Sequence, residues 1–312
     1  MNIKNPFSLY DFLGYFFPGA FILILIIIMM DYYNPNGVNC SMGLIDSYKE
    51  AVDVFMNKQY KNNVDLVRVW FSFIVFAYVL GHIISYFSSI TVEYFTIESF
   101  QYPSRYLLAK KDRYGDDYVE RYWRGYNIKF VPCVLKFITL IILLPVSFWF
   151  CPCLPFGKCI SGFICKPLDK YLINCIEAKL FRLPAHLNVE RPPISLQIDI
   201  HRIVMHYVYI NYPSCRVKVD NYIALYGFLR SITLILCVVT DFIMIDILRH
   251  YGICQFSNFI LLIIVFVMSF VCYLAFFKFY RRFTLENYMT LLVGKSDDDY
   301  YIKNKDFEFS NK

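Results

Sequence analysis

Apolar residues gather in four long runs along this chain: Phe12–Met30, Val69–Ile90, Tyr222–Thr240 and Phe259–Phe277. Each comes near the roughly 20 residues that a helix needs to cross about 30 Å of hydrocarbon. No water-soluble core needs four such runs. The pattern predicts an all-α integral membrane protein with four transmembrane helices and a mainly helical cytoplasmic domain between the second and the third.

Phe12–Met30 is longer than the apolar core of a signal peptide. Met29-Met30-Asp31-Tyr32 offers no small-residue cleavage pattern, so the run is kept as a span. A fifth apolar run, Val131–Cys151, is interrupted by Pro132, Lys136 and Pro145. It reads as an interfacial or half-inserted helix pair, with a true fifth span as the alternative.

Charge arbitrates between these readings. Residues 91–220 carry seventeen Lys and Arg against eleven Asp and Glu, which is the whole formal excess of +6 in the chain. Lys and Arg on short loops prefer the cytoplasm. A crossing at 131–151 would put one of two basic clusters outside, either that before it (Arg105 to Arg124) or that after it (Lys158 to Arg182). Four spans place both termini in the cytoplasm. The expected organisation is an N-terminal hairpin over 1–90 with an outer loop at 31–68, and a basic cytoplasmic domain over 91–220. A C-terminal hairpin over 221–283 and a cytoplasmic tail over 284–312 follow. Tyr32, Tyr33, Trp70, Tyr86, Tyr222 and Tyr280 fall where aromatic belts belong.

Composition adds 58% hydrophobic and 20% aromatic residues, well above an ordinary globular domain. The eleven cysteines show no secreted disulfide pattern. Cys151-Pro-Cys153 with Cys159 and Cys165 has a metal-like look, but its spacings fit no usual zinc pattern and its apolar setting suits small buried thiols. No metal or other cofactor is expected. Within the inner domain, Ile194, Ile198, Ile203, Val204 and Val208 after Pro192-Pro193 predict an amphipathic helix. His201 and His206, five apart, miss ligand spacing and read as interface histidines.

No phosphate-binding glycine loop, Gly-x-Ser-x-Gly turn or His-Glu-x-x-His pair is present, so no enzymatic activity is expected. The groups that exceed background are polar residues inside the spans. His82 and Arg230 each lie about eight residues, roughly 12 Å, from an inner span end. An Arg at that depth is a functional candidate by default, here at a gate. It can equally anchor the helix by reaching Glu93, Glu98 or a headgroup. Asp241 and Asp246 could give a pore mouth a cation preference, or more simply pair with Arg249.

Four patches carry a resemblance: Tyr10 to Gly19 (YDFLGYFFPG), Leu80 to Ser89 (LGHIISYFSS), Tyr226 to Arg230 (YGFLR) and Phe279 to Thr284 (FYRRFT). They resemble a family of largely uncharacterised bacterial multi-span membrane proteins found in part in anti-phage loci, a resemblance that implies a multi-pass protein of the bacterial inner membrane. The nearest functional analogy is the transmembrane effector of Hailong-type defence. That analogy implies a ligand-gated effector that opens a pore in the inner membrane, held silent by a nucleotide-derived ligand made by a partner nucleotidyltransferase.

The residues are compatible with that class. Four helices per chain cannot enclose a wide water path, so conduction needs a homo-oligomer such as a tetramer. Arg105, Lys110, Lys111, Arg113, Arg121 and Arg124 could meet the phosphates of an anionic nucleotide or oligonucleotide, and Trp123 could stack on a base. The same residues could meet anionic lipid headgroups. The second functional class is a non-conducting membrane scaffold whose inner domain recruits a soluble partner.

Overall fold

A computed structural model describes residues 11–32, 63–109, 130–150, 155–187, 200–249 and 256–294. Every regular element among them is helical. The first apolar run is helical from Asp11 to Tyr32, with a π-turn at Phe12–Phe16 leading into α1, Phe17–Tyr32. Pro18 explains the wide turn. It has no N–H to give to Gly14 and its ring crowds that carbonyl, so the backbone opens by one residue and Phe17 N–H bonds Phe12 O instead.

α2, Asn63–Ser88, continues through a second π-turn, Ser89–Glu93, into α3, Tyr94–Phe100. Hydroxyls compete with the backbone around that turn: Thr91 Oγ1 donates to Phe87 O at 2.7 Å and Ser88 Oγ to Ser85 O at 2.9 Å. Such back-bonding loosens a helix. Gln101, at φ 70°, ends α3 in the left-handed region, and Pro103 opens the short α4, Pro103–Tyr106. α5, Phe130–Ile142, and α6, Leu144–Trp149, are followed by α7, Pro155–Ile164, α8, Lys170–His186, and α9, Ile200–Asn211. Two long helices close the fold, α10, Pro213–Arg249, and α11, Phe256–Val293.

Three helices are long and apolar enough to cross a membrane: the run Trp70–Tyr106, α10, and α11 from Asn258 to Val293. They mark a multi-pass membrane protein. Phe12–Ile26 and Cys133–Ile142 are shorter apolar helices. The two long C-terminal helices pack along each other, and α1 lies against α2.

The α1–α2 contact is unusually close. A Cβ added at Gly19 would overlap the Ala77 carbonyl, and one added at Gly81 would overlap the Tyr15 carbonyl. Ala77 and Gly81 are four apart on one face of α2, the small-xxx-small arrangement that lets helix backbones approach where lipid gives no hydrophobic drive.

The interior between α3, α6, α10 and α11 is aromatic. Tyr273 is fully buried and shares a hydrogen bond of 3.0 Å with Thr96 Oγ1. Phe100 meets Phe150 and Phe277 edge to face at 5.0 and 5.5 Å. The α5–α6 segment starts beside α3, where Lys136 Nζ lies 3.7 Å from Glu98. It reaches far along α11: Trp149 stacks on Phe270 at 5.0 Å, and Phe148 meets Phe266 at 5.7 Å. By Lys166 the chain is back at Arg281, whose Nη2 donates to the Lys166 carbonyl at 2.9 Å. Phe266 and Arg281 are about 22 Å apart along a helix axis, so Lys166 lies well back along α11 from Phe148 and Trp149. Pro145 sits in the first turn of α6, where its missing N–H costs nothing.

α11 does not stop at Phe277. It runs on to Val293 through residues assigned above to a tail, and Tyr288 and Leu291 join Ile176, Leu183, Val204 and Val208 in a second core with α8 and α9. The amphipathic register of α9 is Ile200, Val204, Val208, spaced by four. Ile203, placed above on the same stripe, is 41% exposed. Ile194 and Ile198 lie outside the described residues, as do Lys110, Lys111, Arg113, Arg121, Trp123 and Arg124, and Ser296 to Lys312.

Candidate functional site

α10 carries Arg230 into the interior between α2 and α11, where the residue is only 9% exposed. The guanidinium is held from three sides. Its Nη1 makes an ion pair with the Glu93 carboxylate, its Nε donates to Ser88 Oγ at 3.1 Å, and its Nη2 lies 3.3 Å from Ser85 O and 3.4 Å from Ser85 Oγ. Ser231, the next residue of α10, brings its hydroxyl to 3.3 Å from Ser88 Oγ. Ser89 Oγ donates to the other side of the pair, 3.5 Å from Glu93 Oε2.

The serines are placed by helix geometry. Ser85 and Ser88 are three apart and so share the face of α2 that meets α10. Glu93 closes the π-turn that begins at Ser89. In regular α-helix the register of everything after Ser89 would differ by about 100°, so the wide turn is what aims the carboxylate at Arg230. Of the three partners open to Arg230 in the sequence, Glu93 takes it. Glu98 goes to Lys136 instead, and Lys136 itself is 3% exposed. Two acidic residues five apart on one helix therefore hold two different neighbours, α10 and α5. In the sequence Lys136 shows only as an interruption of an apolar run, and its pairing with Glu98 comes from the packing of α5 on α3.

His82 does not join Arg230. It lies on the outward arc of α2, stacked on Tyr15 at 3.8 Å and met edge-on by Tyr78 at 4.7 Å. Asp241 and Asp246 lie eleven and sixteen residues beyond Arg230 on α10, about 16 and 24 Å along its axis. Asp246 is buried, and Asp241 is partly buried with Oδ1 enclosed and without a hydrogen bond among the described residues. Arg249, the partner suggested above for both, is exposed at the end of the helix. Arg105, the one described member of the anionic-ligand set, is half-buried on α4, beyond the break at Gln101 that ends the helical run of Glu93.

His201 meets Phe283 and Tyr288 edge-on at 5.6 and 5.7 Å and lies 3.5 Å from Asn287 Nδ2. His206 is exposed. The described cysteines, Cys133, Cys159, Cys165, Cys175, Cys215, Cys237 and Cys272, are free thiols. Among the described residues no three His, Cys, Asp or Glu side chains come together as a metal site. Cys151 and Cys153 lie outside the described residues.

No protein-family model matches the chain, and no curated protein or solved structure matches it significantly.

Proposed function

We propose that the chain is the subunit of a ligand-gated membrane effector, an oligomeric pore that disrupts the inner-membrane barrier in anti-phage defence. In this reading four helices cross the bilayer, both ends are cytoplasmic, and the basic 91–220 domain is the sensor for an anionic ligand. The Arg230–Glu93 pair is the latch of the closed state.

One observation carries the reading. The buried pair sits at a π-turn that continues directly into α3, the first element of the inner domain, so a displacement of that domain pulls on Glu93. π-turns are found often at functional sites, because one extra residue in the turn can be taken up or released. Induced expression, or loss of a silencing partner, is expected to depolarise cells, read with a potential-sensitive dye. An unchanged membrane potential under toxic overexpression counts against a pore.

The scaffold reading keeps support from one feature. Arg230 is fully occupied inside one subunit, which suits an anchor as well as a latch. A scaffold gives harmless overexpression and a stable soluble partner in pull-downs, neither of which a pore requires.

A further inference from the structure

Among the described residues, two that are not glycine have positive φ, Gln101 at 70° and Ala109 at 53°. They bracket one short piece of chain, the α4 segment. Gln101 combines φ 70° with ψ 172°, a region that glycine almost alone populates because a Cβ there crowds the backbone. Its side chain gains little in exchange. The residue is 7% exposed, and its Oε1 is enclosed without a hydrogen bond among the described residues. Strain of this kind persists only where the surroundings hold it. Here the hold is visible. Tyr106, Leu107 and Leu108 are buried, and Tyr106 stacks on Phe277 at 6.1 Å. Leu168 N–H donates to Leu107 O at 3.0 Å, and the Tyr288 hydroxyl donates to Ser104 O at 3.3 Å.

We infer that α4 is a loaded clip between the inner domain and the spans: docked, it keeps both flanking residues strained, and lifted, it lets both relax. The packing of Tyr106 to Leu108 outweighs that strain, so the docked form is the resting one. Lys110, Lys111 and Arg113 follow Ala109 directly in the sequence. A pull on this basic stretch therefore reaches α4 first, and the released strain assists it. On the other side Gln101 ends α3, eight residues after Glu93, so the backbone swing that relaxes it bears on the helix next to the latch. The strain lowers the differential affinity that a ligand must supply to shift the two forms. The latch reading gives the clip its use, but the clip is tested by itself.

Hydrogen exchange of the full chain in detergent, read by mass spectrometry on peptides carrying the amides of Leu107 to Ala109 and of Leu168, measures the lifting. Gln101→Gly lets the docked backbone sit without strain and slows exchange there several-fold, while the amides of α9 are unchanged. Glycine also frees the lifted chain, an entropy that opposes the effect and is the smaller quantity. Gln101→Ala removes the enclosed oxygen but keeps the Cβ, so its exchange stays close to that of the parent. Unchanged or faster exchange in Gln101→Gly overturns the clip. Equal slowing by Gln101→Ala assigns the cost to the oxygen and overturns it as well. If Gln101→Gly does not accumulate, Ala109→Gly decides in the same way. Ion flux is scored separately. Slower exchange with unchanged flux keeps the clip and removes its link to the latch, while altered flux without slower exchange removes the clip and keeps the latch.

Discussion

Arg230→Ala destabilises the folded chain by about 3–5 kcal/mol, because it leaves the Glu93 carboxylate enclosed between helices with its main partner gone. Glu93→Ala has a comparable effect for the mirror reason: the guanidinium keeps the serine oxygens but loses its counter-charge. The two changes are not additive. Replacing both residues by leucine removes both charges along with their desolvation cost, and such double replacements are commonly near neutral. Thermal unfolding in mild detergent of the two single variants and the double one gives the coupling. Single effects below about 1 kcal/mol would mean that water or headgroups solvate the pair, as for an exposed surface ion pair.

Gly81→Leu separates α1 from α2. The Cβ alone overlaps the backbone carbonyl of Tyr15, and a backbone cannot turn aside as a flexible side chain can. The cost is about 3 kcal/mol or more, at the upper end for overpacking. It should appear as a lower melting temperature and as faster protease cleavage near α1. Gly19→Leu behaves alike, meeting Ala77 and Gly81 from the other side. Gly162→Ala is the matching control, since no atom lies within 4 Å of its added Cβ. If Gly81→Leu melts like the parent chain, the close approach of these two helices is wrong.

The long helices were legible because hydrocarbon demands continuous apolar runs, and α10 and α11 contain Tyr222–Thr240 and Phe259–Phe277 whole. Their ends were not. Hydropathy reports where lipid stops, whereas a helix stops where its backbone does, at Pro213 on one side and at Gly294 on the other. Beyond the apolar window α11 continues as an amphipathic helix, and Phe283, Tyr288 and Leu291 bury themselves against other helices. In the 131–151 run the helix breaks at Leu143, just before Pro145, while Pro132 falls in the first turn of α5 and interrupts nothing.

Of the site, Arg230 announced itself by rarity at depth, and Glu93 was among its three candidate partners. What chose Glu93 over Glu98 is the π-turn, whose single extra residue no hydropathy pattern encodes. The Lys136–Glu98 pair joins residues 38 apart in sequence across two helices, and one sequence contains no distance between them. His82 was placed with Arg230 because both lie at similar depth. Depth along a helix says nothing about azimuth, and in α2 the two faces differ: Ala77, Gly81, Ile84 and Ser88 turn inward while His82 turns out.

Ion flux through liposomes holding the purified chain tests the latch most directly. With the Arg230–Glu93 pair intact and the silencing ligand still bound, the wild-type chain is expected to retain an entrapped ion or dye. The folded Glu93→Gln variant, which keeps the side-chain shape and loses the charge, is expected to leak several-fold faster. Equal retention by both, at equal protein incorporation, would contradict the account.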